Sequence, residues 1–420
     1  MKLNPAESSK INKFDLVAFL LIFFYFLALV LFSYKEGQTL YAKIAAAMIV
    51  LYFLMKLVAG KRTRMVFPAE YQFLLGWFTW SILSLLGAIN QDIAFNKIIT
   101  LFQVLSISYA VFNLIIWQKS VTGYWIIIIF AALAASAFVF VNPNSYIGLD
   151  GRVHGTVGNA NLLAVVLIAG MLASLVYVIT LKNIFYRIVA MIIATFLFYM
   201  IIETGSRKGM LGGIVLSFVI MSIITLHLYR VSKGKCFLTI IVGLTIVIGA
   251  SVYILNSQHA HRLTRLSSVI EKGSMSGAAK SESGRVKLYQ IAFDVGLKNP
   301  VFGIGLDNFR EIRSGKTFGS KVGTYAHSNY MEVMVSTGII GLMIYISIYV
   351  SMLFKLFRLR KAIFQKELVG GYALASSLLA MFIILDFAMV SYSEKISCFI
   401  LAGLIAQISI LQKQMELINE

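Results

Sequence analysis

Apolar residues fall into long runs along this chain, and the polar residues between them come in short bursts. A helix that crosses a bilayer needs about 20 predominantly apolar residues. Twelve runs approach that length: 15–33, 39–59, 70–89, 97–116, 122–141, 161–181, 185–203, 209–229, 236–255, 332–354, 368–391 and 395–411. The connections are short, except for a hydrophilic stretch over 256–331. The pattern predicts an all-α polytopic membrane protein of about twelve transmembrane helices. It has three parts: a nine-span bundle over 1–255, a large loop over 256–331 and a three-span bundle over 332–420. No period of 20–50 residues repeats. "GSMSGAAKSESG", residues 273–284, reads as a flexible tip within the loop. The first run is flanked by Lys10 and Lys13 and no small-residue cleavage site follows it, so it reads as a retained span.

Composition agrees. The chain of 420 residues is 59% hydrophobic and 13% charged, against roughly 45–50% apolar in soluble domains. The net charge of +19 reports topology before it reports a partner, and no nucleic acid is implied. Cations gather in alternate connections: "KRTR" (61–64), Lys119, "LKNIFYR" (181–187), "YRVSKGK" (229–235) and "KLFRLRKAIFQK" (355–366). Lys- and Arg-rich short loops stay cytoplasmic, so both termini are expected in the cytoplasm and the long loop outside. Cys236 and Cys398 lie in or beside apolar runs, and neither forms a spaced pair with histidines; no zinc site or disulfide framework is suggested.

Four polar clusters then share the extracytoplasmic side. "GLDGRVHGTVGNANLLA" (148–164) offers Asn159 or Asn161 as a cap for the sixth span. Its Arg152 and His154 are candidate ligand contacts, and an ordinary turn before a helix is the alternative. "ETGSRKGM" (203–210) breaks two spans sharply and puts Arg207 and Lys208 on the wrong side for topology. An anion site at the N-terminus of the next helix explains that; a pair snorkelling to lipid phosphates is the plainer reading. In "SESGRVKLYQIAFDVGLKNPVFGIGLDNF" (281–309), Ser283 is a candidate N-cap, and Val286, Tyr289, Phe293 and Leu297 recur at helical spacing. That predicts an amphipathic helix with Arg285 in its first turn, where anions are favoured; a surface helix with a solvated Arg285 is the alternative. Finally, "GTYAHSNYMEVMVSTGIIGLMIYISIYV" (323–350) begins polar and ends as a span. Asn329 and Glu332 have capping-box spacing, which leaves His327 just outside a helix whose positive end disfavours imidazolium. A neutral imidazole suits a general base; a capping or interfacial histidine is the alternative. Asp386 is an acid inside the eleventh span, either functional or paired structurally.

No D-x-D, H-E-x-x-H or Walker A motif occurs, and "SGKT" (314–317) lacks the first loop glycine because Arg310 stands there. No cofactor and no metal is therefore expected. Arginine forks suit a diphosphate, and their place at the lipid surface suits a membrane-anchored one.

At these residues the sequence resembles the bacterial O-antigen ligase and O-antigen polymerase family. "GSRKG" is similar to the family's Ser-Arg turn. "SGRVKLYQIAFDVGLKNPVFGIGLDNF" is similar to its Gly-Arg, aromatic, Ala, Pro, Gly-x-Gly, Phe signature. "HSNYMEVMVSTGIIGLMIY" resembles its His-Asn-x-x-Leu-Glu segment followed by Gly-x-x-Gly. Three departures are mild: Tyr289 where tryptophan is frequent, Ser328 between His327 and Asn329, and Met331 for leucine. The resemblance implies a GT-C-like membrane glycosyltransferase with an undecaprenyl-diphosphate-linked glycan as donor. Transfer to an acceptor hydroxyl would be metal-independent and inverting, in the bacterial inner membrane. It implies that Arg207 and Arg285 hold the diphosphate and that His327 engages the acceptor hydroxyl. Lys208, Arg152 and His154 stand in a second rank, and Asn329 and Glu332 shape the helix end beside the site. A ligase acting on lipid A–core is the expected form, with a repeat-unit polymerase as its alternative. A lipid-linked oligosaccharide flippase is the rival of another class. It is disfavoured because the polar groups gather at one surface, whereas transporters bind near the midplane.

Overall fold

The computed structural model describes residues 15–32, 39–60, 64–148, 152–231, 233, 277–314 and 325–420. Among them are thirteen α-helices and no strand: α1 (Leu16–Phe32), α2 (Thr39–Ala59), α3 (Ala69–Leu83), α4 (Gln91–Trp117), α5 (Thr122–Val141), α6 (Ala160–Thr180), α7 (Ile184–Glu203), α8 (Arg207–Val231), α9 (Gly277–Lys298), α10 (Phe309–Ser314), α11 (Asn329–Arg358), α12 (Val369–Asp386) and α13 (Lys395–Asn419). Nine are long and apolar enough to cross a membrane. Two more are shorter: α1 has 17 residues, and α3 has 15 and continues into a 3-10 turn. The protein is thus an all-α polytopic membrane protein. The expected run 236–255 and Cys236 lie outside the described residues, as does the start of the expected flexible tip, 273–276; the rest of that tip, 277–284, is not flexible coil but the first two turns of α9.

The polar residues between the runs start the helices. Asn90, Asn159 and Asn183 each accept a first-turn N–H of α4, α6 and α7, which satisfies donors that a helix start leaves orphaned. The Ser206 hydroxyl accepts the Gly209 N–H at 3.1 Å and so caps α8. Burial orders the bundle. The most apolar windows of α6, α12 and α13 are 72%, 72% and 78% buried, whereas that of α2 is 17% buried. The first three are therefore the centre, and α2 faces outward. Gly209 lets α8 close on α6, since a Cβ there would lie 2.6 Å from that of Ala164; small residues permit such approach in membrane bundles.

Glu70 and Asp15 are each paired with a lysine. Glu70, 1% exposed, accepts from the Lys355 ammonium at 2.6 Å and from the Ser351 hydroxyl at 2.9 Å. At the start of α1, partial burial pushes the Asp15 carboxyl up, but hydrogen bonds from Lys56, the Ala18 N–H and Tyr52 outweigh it and hold the carboxyl below the ordinary value.

The loop helix α9 packs on α11 through Leu288, Ala292 and Gly296, with partly buried Ile291 and Val295 beside them. The sequence expectation is corrected here in two ways. The helix begins at Gly277, so Ser283 is an interior residue, not a cap, and Arg285 lies two turns in, not in the first turn. The apolar stripe Val286, Phe293 and Leu297 is the exposed face, about half-exposed at each position; the helix has a second apolar face, and that one reaches the core.

After α9 the chain turns at Asn299-Pro300 and docks on a break in α11. Gly338 sits at φ 71°, ψ −177° inside that helix, a region open essentially to glycine alone. The break frees carbonyls, and neighbours take them: Val335 O accepts the Ile304 N–H (2.9 Å), Ser336 O the Gly305 N–H (3.0 Å) and Thr337 O the Trp80 indole N–H (2.9 Å). In return the Ile339 N–H donates to Pro300 O at 2.8 Å. This explains the Gly-x-Gly spacing. A Cβ on Gly303 would stand 2.5 Å from the Ser336 carbonyl carbon, and one on Gly305 would stand 2.6 Å from that of Ala88. Asn308 completes the clamp by exchanging two hydrogen bonds with the Asn90 backbone, both 3.1 Å.

Candidate functional site

The site is built from the turn before α11. Ala326, Ser328 and Asn329 are buried and His327 between them is exposed. His327 has φ +59°, the left-handed region that few non-glycine residues occupy. Fixed contacts on both sides hold it there. The Ala326 N–H donates to Glu332 Oε2 at 2.8 Å. The Asn329 amide donates to Asp386 Oδ2 (2.9 Å) and to the Tyr345 hydroxyl (2.7 Å), and its carbonyl accepts the Ser391 and Tyr392 N–H groups at 3.0 Å each. All four hydrogen-bonding positions of that side chain are filled. The capping box expected from the sequence is not what forms. Ser328 is at the cap with no side-chain cap bond, Asn329 is already inside the helix, and Glu332 reaches past the cap to Ala326. Both residues do shape the helix end, by a different route.

Asp386 anchors this arrangement. It is 1% exposed. Besides Asn329 it receives the hydroxyls of Tyr349 (2.6 Å), Tyr345 (3.3 Å) and Ser391 (2.5 Å). Of the two roles left open for it, the structure displays a pairing one, with hydroxyls and an amide. The signal was present in the sequence: Tyr345 and Tyr349 are four apart, hence on one face of α11.

A second group steadies the approach to His327. The Arg310 guanidinium lies 3.6 Å from the centre of the Tyr325 ring, and Lys97 lies near Tyr325 and Tyr392 at 5.8 and 5.5 Å. Arg310 also pairs with Asp307 at 3.5 Å. Burial, and then the Asp307 carboxylate, push the Tyr325 phenol up, so it remains a neutral ring for its cations. Sequence reading did not single out these residues, because their types carry no motif.

Arg207 and Lys208 are the first two residues of α8, beside the N–H groups that a helix start directs outward. The Lys208 ammonium donates to Ala388 O, just beyond the end of α12. Arg285 is on α9, four residues before Tyr289 and hence on the same face; its side chain lies outside the described residues. The Tyr289 hydroxyl is 3.3 Å from Phe387 O and 3.5 Å from His327 O. The end of α12 therefore meets the His327 turn, the start of α8 and the Arg285-bearing helix. Arg152 and His154 lie in a small turn closed by the Gly148 N–H to Arg152 O and the His154 N–H to Tyr146 O, both 2.8 Å. Asn161, in the first turn of α6, joins that segment to the α8 start by accepting the Ser206 hydroxyl at 2.8 Å.

Residues 190–346 match the family model described as O-antigen ligase. The match supports, over that segment, the likeness to the O-antigen ligase/polymerase family. Proteins of that family are ligase- or polymerase-like glycosyltransferases. No curated protein matches the chain. The family segment runs from within α7 to within α11 and so contains Arg207, Arg285, His327, Asn329 and Glu332, and also Tyr289 and the Gly303–Gly305 loop. It stops short of Asp386 and Ser391 and begins after Arg152 and His154.

Proposed function

We propose that this protein moves a glycan from undecaprenyl diphosphate to an acceptor hydroxyl, that of lipid A–core, on the extracytoplasmic face of the bacterial inner membrane. The observation that carries the reading is the exposed His327 on a left-handed turn fixed from both sides, tied to the element that also receives Lys208. The acceptor oxygen attacks the anomeric carbon and forms the new glycosidic bond. The bond from that carbon to the diphosphate oxygen breaks, and its electron pair leaves with undecaprenyl diphosphate. The acceptor proton goes to the His327 imidazole. Arg207 and Arg285, with the N-terminus of α8, receive the charge that develops on the diphosphate, in a site where water is partly excluded. Attack opposite the leaving group inverts the anomeric configuration, and no metal ion is required. Lys208, Arg152 and His154 would contact the donor more peripherally. Both termini lie in the cytoplasm in this reading.

The test is His327→Ala in purified full-length protein. Folded protein with transfer reduced by about 10²–10⁴-fold is expected. Transfer at the wild-type rate would remove His327 as the base, and wild-type protein that moved lipid-linked glycan across vesicles without forming a glycosidic bond would remove the enzyme reading. The acceptor is read from a deletion strain: full-length polymer stranded on its lipid carrier marks a ligase, and single repeats transferred without chain growth mark a polymerase.

A further inference from the structure

Three consecutive carbonyls at the end of α12 meet side chains from three different elements. Asp386 O is 3.4 Å from the Ser328 hydroxyl, Phe387 O is 3.3 Å from the Tyr289 hydroxyl, and Ala388 O receives the Lys208 ammonium. A helix end leaves its last carbonyls without intrahelical partners, so this is where a helix can accept outside donors. Each donor adjoins a residue of the proposed reaction. Ser328 follows His327, Lys208 follows Arg207, and Tyr289 is one turn from Arg285 on the same face of α9.

We infer that Tyr289 is a positioning residue, whose hydroxyl registers the Arg285-bearing helix against the His327 turn and the end of α12; the inference rests on the glycan-transfer reading above. The phenol has one proton and two carbonyls within reach, Phe387 O and His327 O at 3.5 Å. A phenol donates one bond at a time. Both separations exceed the usual range for O–H···O, about 2.5–3.0 Å, so the hydroxyl bridges the two elements loosely. A movement of α9 by a few tenths of an ångström commits it to one of them. Contacts of this kind tighten when a substrate complex forms. The packing of α9 leaves room for such a movement. Its inner face rests on α11 through Leu288, Ala292 and Gly296, the last against the flexible side chain of Met334, while Val286, Phe293 and Leu297 are exposed. The core contacts hold α9 on α11, and the Tyr289 hydroxyl reaches from it to Phe387, the residue after α12.

The experiment compares Tyr289→Phe, Tyr289→Trp and, as control, His327→Ala in purified full-length protein. The donor is lipid-linked glycan extracted from the native strain's membranes, and the acceptor is lipid A–core. Two quantities are read: kcat and KM for the donor, and amide hydrogen exchange of α9. Tyr289→Phe keeps the ring and removes the donor, so the fold is retained. It is expected to lower kcat about 3- to 10-fold, the range of one hydrogen bond, with KM little changed and faster exchange in α9. Tyr289→Trp restores an N–H donor and is expected to recover most of both. Wild-type kcat and exchange in Tyr289→Phe overturn the inference, as does a Tyr289→Trp variant as impaired as Tyr289→Phe. If His327→Ala transfers at the wild-type rate, His327 is not the base; if wild-type protein forms no glycosidic bond from these substrates, the transfer reading has failed, and the exchange comparison still decides whether the Tyr289 hydroxyl holds α9.

Discussion

Gly338→Ala tests the clamp between the Gly-x-Gly loop and α11. The position sits at φ 71°, ψ −177°. A methyl group there would run into Val301 O and would lie 2.5 Å from Pro300 O and 2.6 Å from the Val301 carbonyl carbon. These are backbone atoms, so no side-chain rotation relieves the overlap. The conformation alone costs a non-glycine residue on the order of 1–3 kcal/mol. If the loop withdraws instead, three hydrogen bonds go: Ile304 N–H to Val335 O, Gly305 N–H to Ser336 O and Ile339 N–H to Pro300 O. Each contributes about 0.5–1.5 kcal/mol, so the total loss is about 3–7 kcal/mol. The control is Gly76→Ala in α3, where the nearest atom to the new methyl is Ile344 Cγ2 at 3.7 Å, an ordinary contact. Replacing a mid-helix glycine by alanine is worth about 0.5–1 kcal/mol in the stabilising direction. Both variants and wild type are heated in detergent, and the monodisperse fraction is followed by size-exclusion chromatography. Gly338→Ala is expected to lose that fraction at a temperature lower by about 5 °C or more, and Gly76→Ala at the wild-type temperature or above. A Gly338→Ala midpoint indistinguishable from that of Gly76→Ala would refute the clamp.

Asn329→Ala removes four hydrogen bonds from a fully buried residue and leaves the Ser391 and Tyr392 N–H groups unpaired. A loss of about 2–5 kcal/mol is expected, read as a lowered unfolding midpoint in detergent together with lost transfer; an unchanged midpoint would contradict the anchoring role. Asp15 bears on pH dependence. Its carboxyl is held below the ordinary value, so its contribution is complete above the unfolded-state value and is lost as pH falls through the lower folded-state one. Asp15→Asn should lower the unfolding midpoint at neutral pH and flatten the acid side of the stability profile, so that variant and wild type converge as pH falls, which midpoints from neutral to acid pH will check.

The spans were legible because a bilayer imposes one dominant pattern, long apolar runs with polar interruptions. The cap Asn159, one of the two offered for α6, follows from the same local chemistry; Asn183 caps α7 in the same way and was not singled out. The loop helix was legible as a helix, but its inward face was not. Leu288, Ala292 and Gly296 form as good a stripe as Val286, Phe293 and Leu297, and the choice between them is made by α11, over thirty residues later. The Gly303–Gly305 motif was readable as a turn, while its purpose depends on a break at Gly338 that no local signal announces. His327, Arg207 and Arg285 could be singled out by residue type and side of the membrane. Ser391 could not, and Tyr289 and Ser206 entered only as members of a stripe and of a motif, since a tyrosine or serine gains its role only from the carbonyls and carboxyls that the fold brings to it.

The end of α12 also has a consequence for how the protein is made. Arg207, Arg285 and His327 leave the ribosome in that order, and the segment that Lys208, Tyr289 and Ser328 reach, Asp386 to Ala388, is synthesised after them. Domains form from the N-terminus as synthesis proceeds, so the earlier spans can be in the membrane while this site is still incomplete. The proposed site is complete only when the penultimate described helix has been inserted, and a nascent or truncated product that stops before it would occupy the membrane without the proposed activity.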